Sequence, residues 1–186
     1  EWTALVARAD SSFAKPADLK GKSVAVTRGT DPHIFLVRAL AEAGLTEKDV
    51  KLVLLQHADG KMALLRGDVD AWAGLDPIMA SAEIEAGAKL FFRKPDANTW
   101  GILNTREDFA KAHPQIVARV LSAYEKARAI ALADKATLTA SLVAATKLPD
   151  AVIAKQLERT ELTHSRIGAP QRDSILAAGL ALQEAG

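Results

Sequence analysis

Two patterns of apolar positions divide this chain. From residue 2 to about residue 93, short apolar segments alternate with amphipathic ones, which favours βαβ units and a largely parallel sheet. Gly44, Gly67 and Gly87 each close a predicted helix, because glycine tolerates the left-handed backbone found there. The pattern predicts strands at residues 4–7, 24–27, 51–55, 69–73 and 90–92, and helices at 32–43, 60–66 and 77–86.

Beyond about residue 106 the strand pattern disappears, and the predicted helices are 107–112, 114–133, 138–147, 150–158 and 171–185. The longest of these has apolar residues at the spacing of one helix face, which predicts a buried packing surface. Residues 96–104 between the two regions are predicted to be extended and to connect them. The apolar face of the longest helix consists of Ile116, Val117, Val120, Leu121, Tyr124, Ala127 and Ile130.

The charge balance gives the chain no overall preference for a polyanion. Lys and Arg number 24, Asp and Glu 23, and the formal net charge is +1, so selectivity for an anion must come from local geometry. The absence of cysteine excludes disulfides, thiolate zinc sites and a cysteine nucleophile. His57, His113 and His164 have no companions at metal-ligand spacing. We therefore predict no metal, no cofactor and no nucleic-acid partner.

The clearest candidate for a binding site is the loop after the strand at residues 24–27. Thr30 or Asp31 is predicted to be the N-cap of the next helix and Pro32 its first residue. Open α/β sheets bind ligands beyond the carboxyl ends of their strands, and a helix N-terminus suits a small anion. The carboxylate of Asp31 opposes such an anion, while Arg28 can offset it through charge-assisted hydrogen bonds.

The order of the motifs resembles the substrate-binding proteins of ABC importers for aliphatic sulfonates, taurine and nitrate. The resemblance covers nearly the whole chain and is most specific around Trp72 and Asp76. It is carried by Asp18-Leu-Lys-Gly-Lys-Ser-Val-Ala-Val, by Gly29-Thr-Asp-Pro-His-Ile-Phe-Leu-Val-Arg-Ala-Leu, by Gly67-Asp-Val-Asp-Ala-Trp-Ala-Gly-Leu-Asp-Pro77 and by Asn104-Thr-Arg-Glu-Asp-Phe-Ala-Lys-Ala-His-Pro114.

The resemblance implies a periplasmic-binding-protein-like (type II) α/β fold. It implies a first crossing strand at residues 1–10, a ligand-binding lobe with a mainly parallel sheet at 11–95, a second crossing segment at 96–105 and a helical return of the first lobe at 106–186. The opening Glu1-Trp-Thr-Ala-Leu-Val has no recognisable leader and no initiator methionine, so we expect the amino-terminal half of the first lobe to be missing. The helix at 114–133 would then be exposed or covered by a second copy of the chain.

The resemblance also implies a function without chemistry: a periplasmic, non-enzymatic protein that holds a small anionic organic molecule between two lobes and delivers it to an inner-membrane permease. Ligand binding would favour closure of the lobes. The implied ligand-binding residues are Arg28, Gly29, Thr30, Asp31, His33, Trp72, Asp76, Asn98 and Trp100. Leu75 stands where the family often has a second aromatic residue, which suggests a less aromatic pocket.

Several of these residues have a purely structural alternative. Thr30, Asp31 and Asp76 can serve only as helix caps, Trp72 can belong to the core, and residues 98–100 can pack at a hinge. Two other functions also remain open. One is the ligand-sensing effector domain of a LysR-type regulator, although the long helical half argues against it. The other is binding of a thiamine-precursor-like heterocycle, as in related synthases whose cysteine-rich signature this chain cannot contain.

Overall fold

A computed structural model describes residues 1–185, and it has the α/β fold predicted from the sequence. Its elements are close to the predicted ones, with boundaries that differ by up to three residues. The strands are β1 (Thr3–Ala7), β2 (Ser23–Val26), β3 (Lys51–Leu54), β4 (Ala71–Leu75) and β5 (Lys89–Phe92), and the helices are α1 (Asp31–Glu42), α2 (His57–Arg66), α3 (Ile78–Ala86), α4 (Glu107–Ala112), α5 (Pro114–Ala133), α6 (Lys135–Thr146), α7 (Asp150–Leu157) and α8 (Ala169–Ala185).

The five strands form one sheet in the order β3-β2-β4-β1-β5. Strand β2 is parallel to β3 and to β4, whereas β1 is antiparallel to both β4 and β5. Strands β2 to β5 therefore run in one direction and β1 alone opposes them. Because β1 lies between β4 and β5, two of the four strand pairs are parallel and two antiparallel, so the sheet is mixed and the expected mainly parallel arrangement is limited to β3, β2 and β4. The first strand lies inside the sheet, so residues 3–7 are part of the α/β core.

Alternation along the strands divides the core into two faces. Ala71 and Ala73 point to one side of the sheet, with Phe35, Leu36 and Leu40 of α1. Trp72 points to the other side, together with residues of α2 and α3 such as Leu64 and Met79. Successive strand residues face opposite sides of the sheet, and on each side they pack against helices. Both faces of these short strands are therefore buried, which is why their sequences are apolar throughout.

One glycine in β4 permits the close approach of α3. A Cβ atom built on Gly74 would lie 2.5 Å from Cγ of Met79 and 2.7 Å from Cγ2 of Val6. Both distances are far below van der Waals contact, so Met79 can fill this place only because the strand has no side chain there. The packing of the β4 to α3 connection, which borders the candidate site, depends on this glycine.

The helical region separates into a packed part and an unpacked part. Helix α7 packs on α3 and α8 packs on α1, with Val152 and Ile153 fully buried. Helices α4, α5 and α6 have no buried residue. On α5, Leu121, Tyr124 and Ile130 are each more than half exposed, so the buried face predicted for residues 114–133 is not buried within the described residues.

Length and composition also allow a test for membrane-spanning segments. No single helix among residues 1–185 is long and apolar enough to cross a membrane. Helices α5 and α6 meet the criterion only when taken together, and they are bent by 116° at the break between them.

Candidate functional site

The candidate site lies at the carboxyl edge of the parallel strands. Three connections meet there: residues 27–30 between β2 and α1, residues 55–56 between β3 and α2, and residues 76–77 between β4 and α3. Since β2 lies between β3 and β4 in the sheet, its loop is central at this edge. This is the place where open α/β sheets leave a crevice for a ligand.

The loop before α1 leaves the first turn of that helix without a side-chain cap. Thr30 is the N-cap, as predicted, but its hydroxyl donates to the carbonyl of Thr27 at 2.6 Å and makes no capping hydrogen bond. Gly29 adopts a φ of +76°, a left-handed backbone that strains other residues. The first helical hydrogen bond within α1 runs from the Ile34 amide to the Thr30 carbonyl at 3.0 Å. Since Pro32 has no N–H, the amides of Asp31 and His33 are the first-turn donors left without a helical acceptor.

Helix α1 begins at Asp31, one residue before the predicted start at Pro32. The Asp31 carboxylate accepts a short hydrogen bond from the hydroxyl of Thr99, which ties the loop to the segment after β5. No basic side chain of the described residues lies within 4.0 Å of this carboxylate, so it has no ion-pair partner there. A negative charge at this position is favoured by the helix dipole.

His33 has a structural role instead of an open position at the ligand edge. Its imidazole is 3% exposed; Nδ1 accepts from the Gly29 amide at 3.2 Å, and Nε2 lies 2.8 Å from Oε1 of Glu47. Because Nδ1 is an acceptor here, Nε2 carries the proton and donates to the carboxylate. Arg28 stays about half exposed, with its guanidinium 3.9 Å from the same Glu47 oxygen, and is the one predicted cation at this edge.

His57 is a member of this edge that the sequence interpretation set aside. It is the first residue of α2, and its Nδ1 lies 3.3 Å from the hydroxyl of Thr27. Burial lowers the pKa of His57, and the charge of Asp31 partly opposes this decrease. The signal was present in the sequence, since His57 follows a parallel strand just as Thr30 does.

Trp72 is a core residue and not a pocket wall. Its side chain is 1% exposed, on the sheet face covered by α2 and α3. A Cβ built on Gly60 of α2 would lie 2.8 Å from the indole ring, so the helix packs directly against it. The prediction placed Trp72 near the carboxyl end of a strand at residues 69–73, whereas β4 is Ala71–Leu75, so Trp72 lies near the start of the strand and faces a helix layer.

Asp76 forms a buried ion pair and is not open to a ligand. Oδ2 lies 2.5 Å from Nε of Arg159 and Oδ1 lies 2.7 Å from Nη2, while Oδ1 also accepts from the Ala80 amide at 3.1 Å. The third guanidinium nitrogen of Arg159, Nη1, donates to Oε2 of Glu83 at 2.7 Å. Burial alone would lower the pKa of Arg159, but these two carboxylates outweigh it and raise the pKa. Asp76 therefore stabilises the first turn of α3 through the Ala80 amide, although Pro77 and not Asp76 is the N-cap, and its ion pair with Arg159 was not foreseen.

Asn98 and Trp100 lie where the chain leaves the sheet. Asn98 is 6% exposed, and its Oδ1 accepts from the amides of Trp2 and Thr3 at 2.8 and 2.9 Å, so it brackets the start of β1 and offers no free group to a cleft. Trp100 is partly exposed and makes an edge-to-face contact with His164, with ring centroids 5.6 Å apart. Of this pair, only Trp100 retains surface that a ligand can touch.

The structure thus keeps a smaller set of side chains at the edge than the sequence suggested. Arg28, Gly29, Thr30, Asp31 and Trp100 retain exposed or partly exposed positions. In the part of the chain that the structure describes, no group of three or more His, Cys, Asp or Glu side chains is arranged to hold a metal ion. Uncapped amides, one guanidinium and one carboxylate can bind and orient a small polar ligand.

Comparison with known proteins gives a family match and several relatives in sequence. The family model described as "NMT1/THI5 like" matches residues 1–137. The chain is 32% identical over 150 residues to a protein of Escherichia coli (strain K12) named as an aliphatic sulfonates-binding protein, covering 80% of this chain and 47% of that protein. It is 32% identical over 114 residues to the taurine-binding periplasmic protein of the same strain, covering 57% of this chain and 34% of that protein. The chain spans half or less of the length of these relatives.

Solved structures give the same fold. The periplasmic aliphatic sulphonate binding protein SsuA from Escherichia coli superposes with a TM-score of 0.88 at 28% identity, over 98% of this chain and 60% of that chain. SsuA from Xanthomonas axonopodis pv. citri bound to MOPS superposes with a TM-score of 0.78 at 25% identity, over 98% of this chain and 63% of that chain. The desulfurization enzyme DSZB superposes with a TM-score of 0.68 at 16% identity, over 98% of this chain and 68% of that chain. At this identity the likeness concerns the fold alone.

Proposed function

Since this chain belongs to the NMT1/THI5-like family, we propose that it is the solute-binding part of a periplasmic ABC importer and holds a small anionic organic molecule of the aliphatic sulfonate type. The observation that carries the proposal is the superposition of 98% of the chain on a sulphonate-binding protein with a TM-score of 0.88. The uncapped amides in the first turn of α1 supply hydrogen-bond donors for an anion at the edge where this fold class binds ligands.

The way in which the site works follows from its incomplete walls. We propose that residues 27–30 form one side of a cleft together with Trp100, which follows the Thr99 that is hydrogen-bonded to Asp31. SsuA has a further 40% of its chain that this one does not match. We propose that the remaining side is provided by a second lobe, with residues 1–10 and 96–105 as the crossing segments and 106–186 as the return. A ligand that contacts both lobes only when they close shifts the equilibrium toward the closed form, which a membrane permease recognises.

Helices α4 to α8 favour this function over a sensory effector domain. After the second crossing the chain forms five helices and, within the described residues, no further strand. An effector domain of the LysR type would be expected to return to strands there. The enzyme DSZB shares the fold only, so the proposal remains a binding protein that performs no chemistry.

A thermal-shift and calorimetric screen tests the proposal on the complete natural gene product that contains this chain. The ligands are alkanesulfonates, taurine, nitrate, bicarbonate and thiamine-precursor heterocycles. A ligand at about a hundredfold its Kd should add ~2.7 kcal/mol to the free energy of unfolding. Arg28→Met should weaken the binding of a sulfonate. Arg66→Met should not, because Arg66 ends α2 and so lies away from the edge at which that helix begins. A response to the heterocycles alone, or to no ligand, would contradict the proposal.

A further inference from the structure

Helices α4 to α6 are an excursion from the α/β body, which consists of β1 to β5 with α1 to α3. Residues 98–106 lead into α4, and residues 147–149 lead from α6 into α7. None of these three helices has a buried residue, whereas α7 packs on α3 with Val152 and Ile153 fully buried, and α8 packs on α1. The chain therefore leaves the body after β5 and returns to it at α7.

Polar contacts also fix the returning segment on the body. The buried guanidinium of Arg159, just after α7, is paired with Asp76 at the end of β4. On α8, the hydroxyl of Ser174 donates to the carbonyl of Asn98 at 3.2 Å. Because α7 and α8 are held by both apolar and polar contacts, they should move together with the body.

Helix α5 reaches the returning segment only through long hydrogen bonds in the described part of the chain. Nη1 of Arg128 lies 3.4 Å from the carbonyl oxygen of Leu162 and 3.5 Å from that of Thr163. Both distances are at the upper limit for a hydrogen bond, and Nη2 of the same guanidinium is 2.7 Å from Glu125 on α5 itself. These contacts are too weak to fix α5 on the body.

The connection between α6 and α7 bends at a residue with an unusual backbone conformation. Lys147 has a φ of +61°, and it is the one residue other than glycine with a positive φ among residues 1–185. Helices often end in this left-handed conformation, but glycine usually adopts it, because a Cβ atom makes it strained. A strained backbone persists where the surrounding structure holds it, and such positions are frequent in switching segments.

The next residue, Leu148, contacts the body. It lines a cavity of about 230 Å³ between α2 and α3. The cavity therefore offers Leu148 both an apolar surface to pack on and room to change its position. Its other walls are formed by Ala58, Lys61 and Met62 of α2 and by Pro77, Ile78 and Ser81 at the start of α3.

A polar cluster keeps the two walls of this cavity together. Nζ of Lys61 on α2 donates to Oε2 of Glu85 on α3 at 2.6 Å, and the hydroxyl of Ser81 donates to Oε1 of the same carboxylate at 2.6 Å. Lys61 also contacts the Ser81 hydroxyl directly. Since α2 and α3 are tied to each other, a movement of Leu148 changes its place in the cavity and leaves the cavity itself intact.

We infer that Lys147 and Leu148 form a hinge beside the crossing segment 98–106, and that Leu148 shifts within the cavity between α2 and α3 when α4 to α6 rotate relative to the body. The inference goes beyond the proposed function, because it concerns the parts that move and is independent of the ligand. It narrows the return proposed above from residues 106–186 to α4–α6. Hinges of this kind place a large backbone change in a few residues at the ends of elements.

Distances between spin labels, measured by pulsed electron paramagnetic resonance on the complete natural gene product, test this division. The chain has no cysteine, so labels can be placed at exposed positions by Arg66→Cys on α2, paired with Lys126→Cys on α5 or with Asp173→Cys on α8. The 66–126 distance should have a broad distribution that shifts when ethanesulfonate is added, whereas the 66–173 distance should be narrow and unchanged. Equally narrow distributions without ligand, or a 66–173 distance that shifts with the other, would overturn the inference.

Variants at the cavity test the hinge without any ligand. Leu148→Ala removes the side chain that packs on α2 and α3, so it should broaden the 66–126 distribution and leave the 66–173 distance unchanged, which also shows that the variant folds. Leu148→Met should restore the original width, because methionine fills a similar volume. Leu132→Ala, on a side chain of α5 that is 44% exposed, is the matched control and should change neither distance.

Two outcomes separate the hinge from the ligand. An unchanged 66–126 distribution in Leu148→Ala overturns the hinge, even if the protein binds sulfonates. A distribution that broadens in Leu148→Ala but does not respond to any alkanesulfonate supports the hinge and contradicts the ligand given under the proposed function.

Discussion

Helices α1 and α5 both have amphipathic sequences, but the apolar face of α1 is buried and that of α5 is exposed. Helix α1 buries Phe35, Leu36 and Leu40 against the sheet, whereas α5 leaves Leu121 and Tyr124 more than half exposed. The difference does not arise from the helices themselves, because both carry apolar residues on one face. A hydrophobic stripe indicates that a helix can pack on a partner surface; α1 meets such a surface, and α5 meets none among residues 1–185.

The largest expected difference between the two regions comes from removing an aromatic ring. Trp72→Ala would leave a cavity between β4 and α2 and should reduce the free energy of unfolding by about 4 kcal/mol. The matched change on α5, Tyr124→Ala, removes a 59% exposed ring and should cost less than about 0.5 kcal/mol. Urea denaturation followed by circular dichroism measures both. Similar losses in the two variants would mean that the α5 face is buried in solution.

The second largest loss of stability is expected at the ion pair of Arg159 with Asp76, which joins the α/β region to the segment after α7. Arg159→Met leaves the buried carboxylate of Asp76 without a counter-charge and should destabilise the fold by about 3 kcal/mol. Arg66→Met breaks an exposed pair with Asp68 and should cost about 0.5 kcal/mol or less. Thermal unfolding of the two variants under identical conditions compares them. Equal melting temperatures would show that Arg159 is not an anchor.

A smaller, pH-dependent effect should appear at the start of β2. The amide and hydroxyl of Ser23 donate to Asp70 at 2.8 and 2.7 Å, and these hydrogen bonds lower the pKa of Asp70. The stabilisation is therefore complete above the unfolded value of about 4, and it is lost as the pH falls through the lower folded pKa. Asp70→Asn should cost about 1 kcal/mol at neutral pH and flatten the acid limb of the stability curve. An unchanged acid limb would exclude this contribution.

The smallest effect on stability is expected on α5 itself. Leu121→Glu places a charge on a side chain that is 51% exposed, so the free energy of unfolding should change by no more than about 0.5 kcal/mol. The variant should, however, reduce concentration-dependent association of the chain, because it interrupts an exposed apolar stripe. Sedimentation velocity at several concentrations measures this. A compact monomer before and after the change would show that the stripe drives no association.

Much of the fold could be predicted because strands and helices leave local patterns. The short apolar runs of β1, β2 and β4 and the closing glycines were sufficient for the order of elements, and the carboxyl-edge rule located the loop before α1. The same rule was not applied to His57, which a lone-histidine argument set aside. The sequence pattern placed Trp72, Asp76 and Asn98 near the carboxyl edge of the sheet. Whether their side chains face a ligand or the protein interior depends on the neighbours that surround them in the fold.

The sequence by itself determined which segments form strands and helices, and which loop carries uncapped donors, since both depend on residues within a few positions of one another. Only the tertiary structure decided that Arg159 neutralises Asp76, that Thr99 holds Asp31 and that the Thr27 hydroxyl lies beside His57. These contacts join residues 30 to 83 positions apart. Hydrogen bonds and ion pairs of that kind depend on distance and direction in space, which no local pattern records.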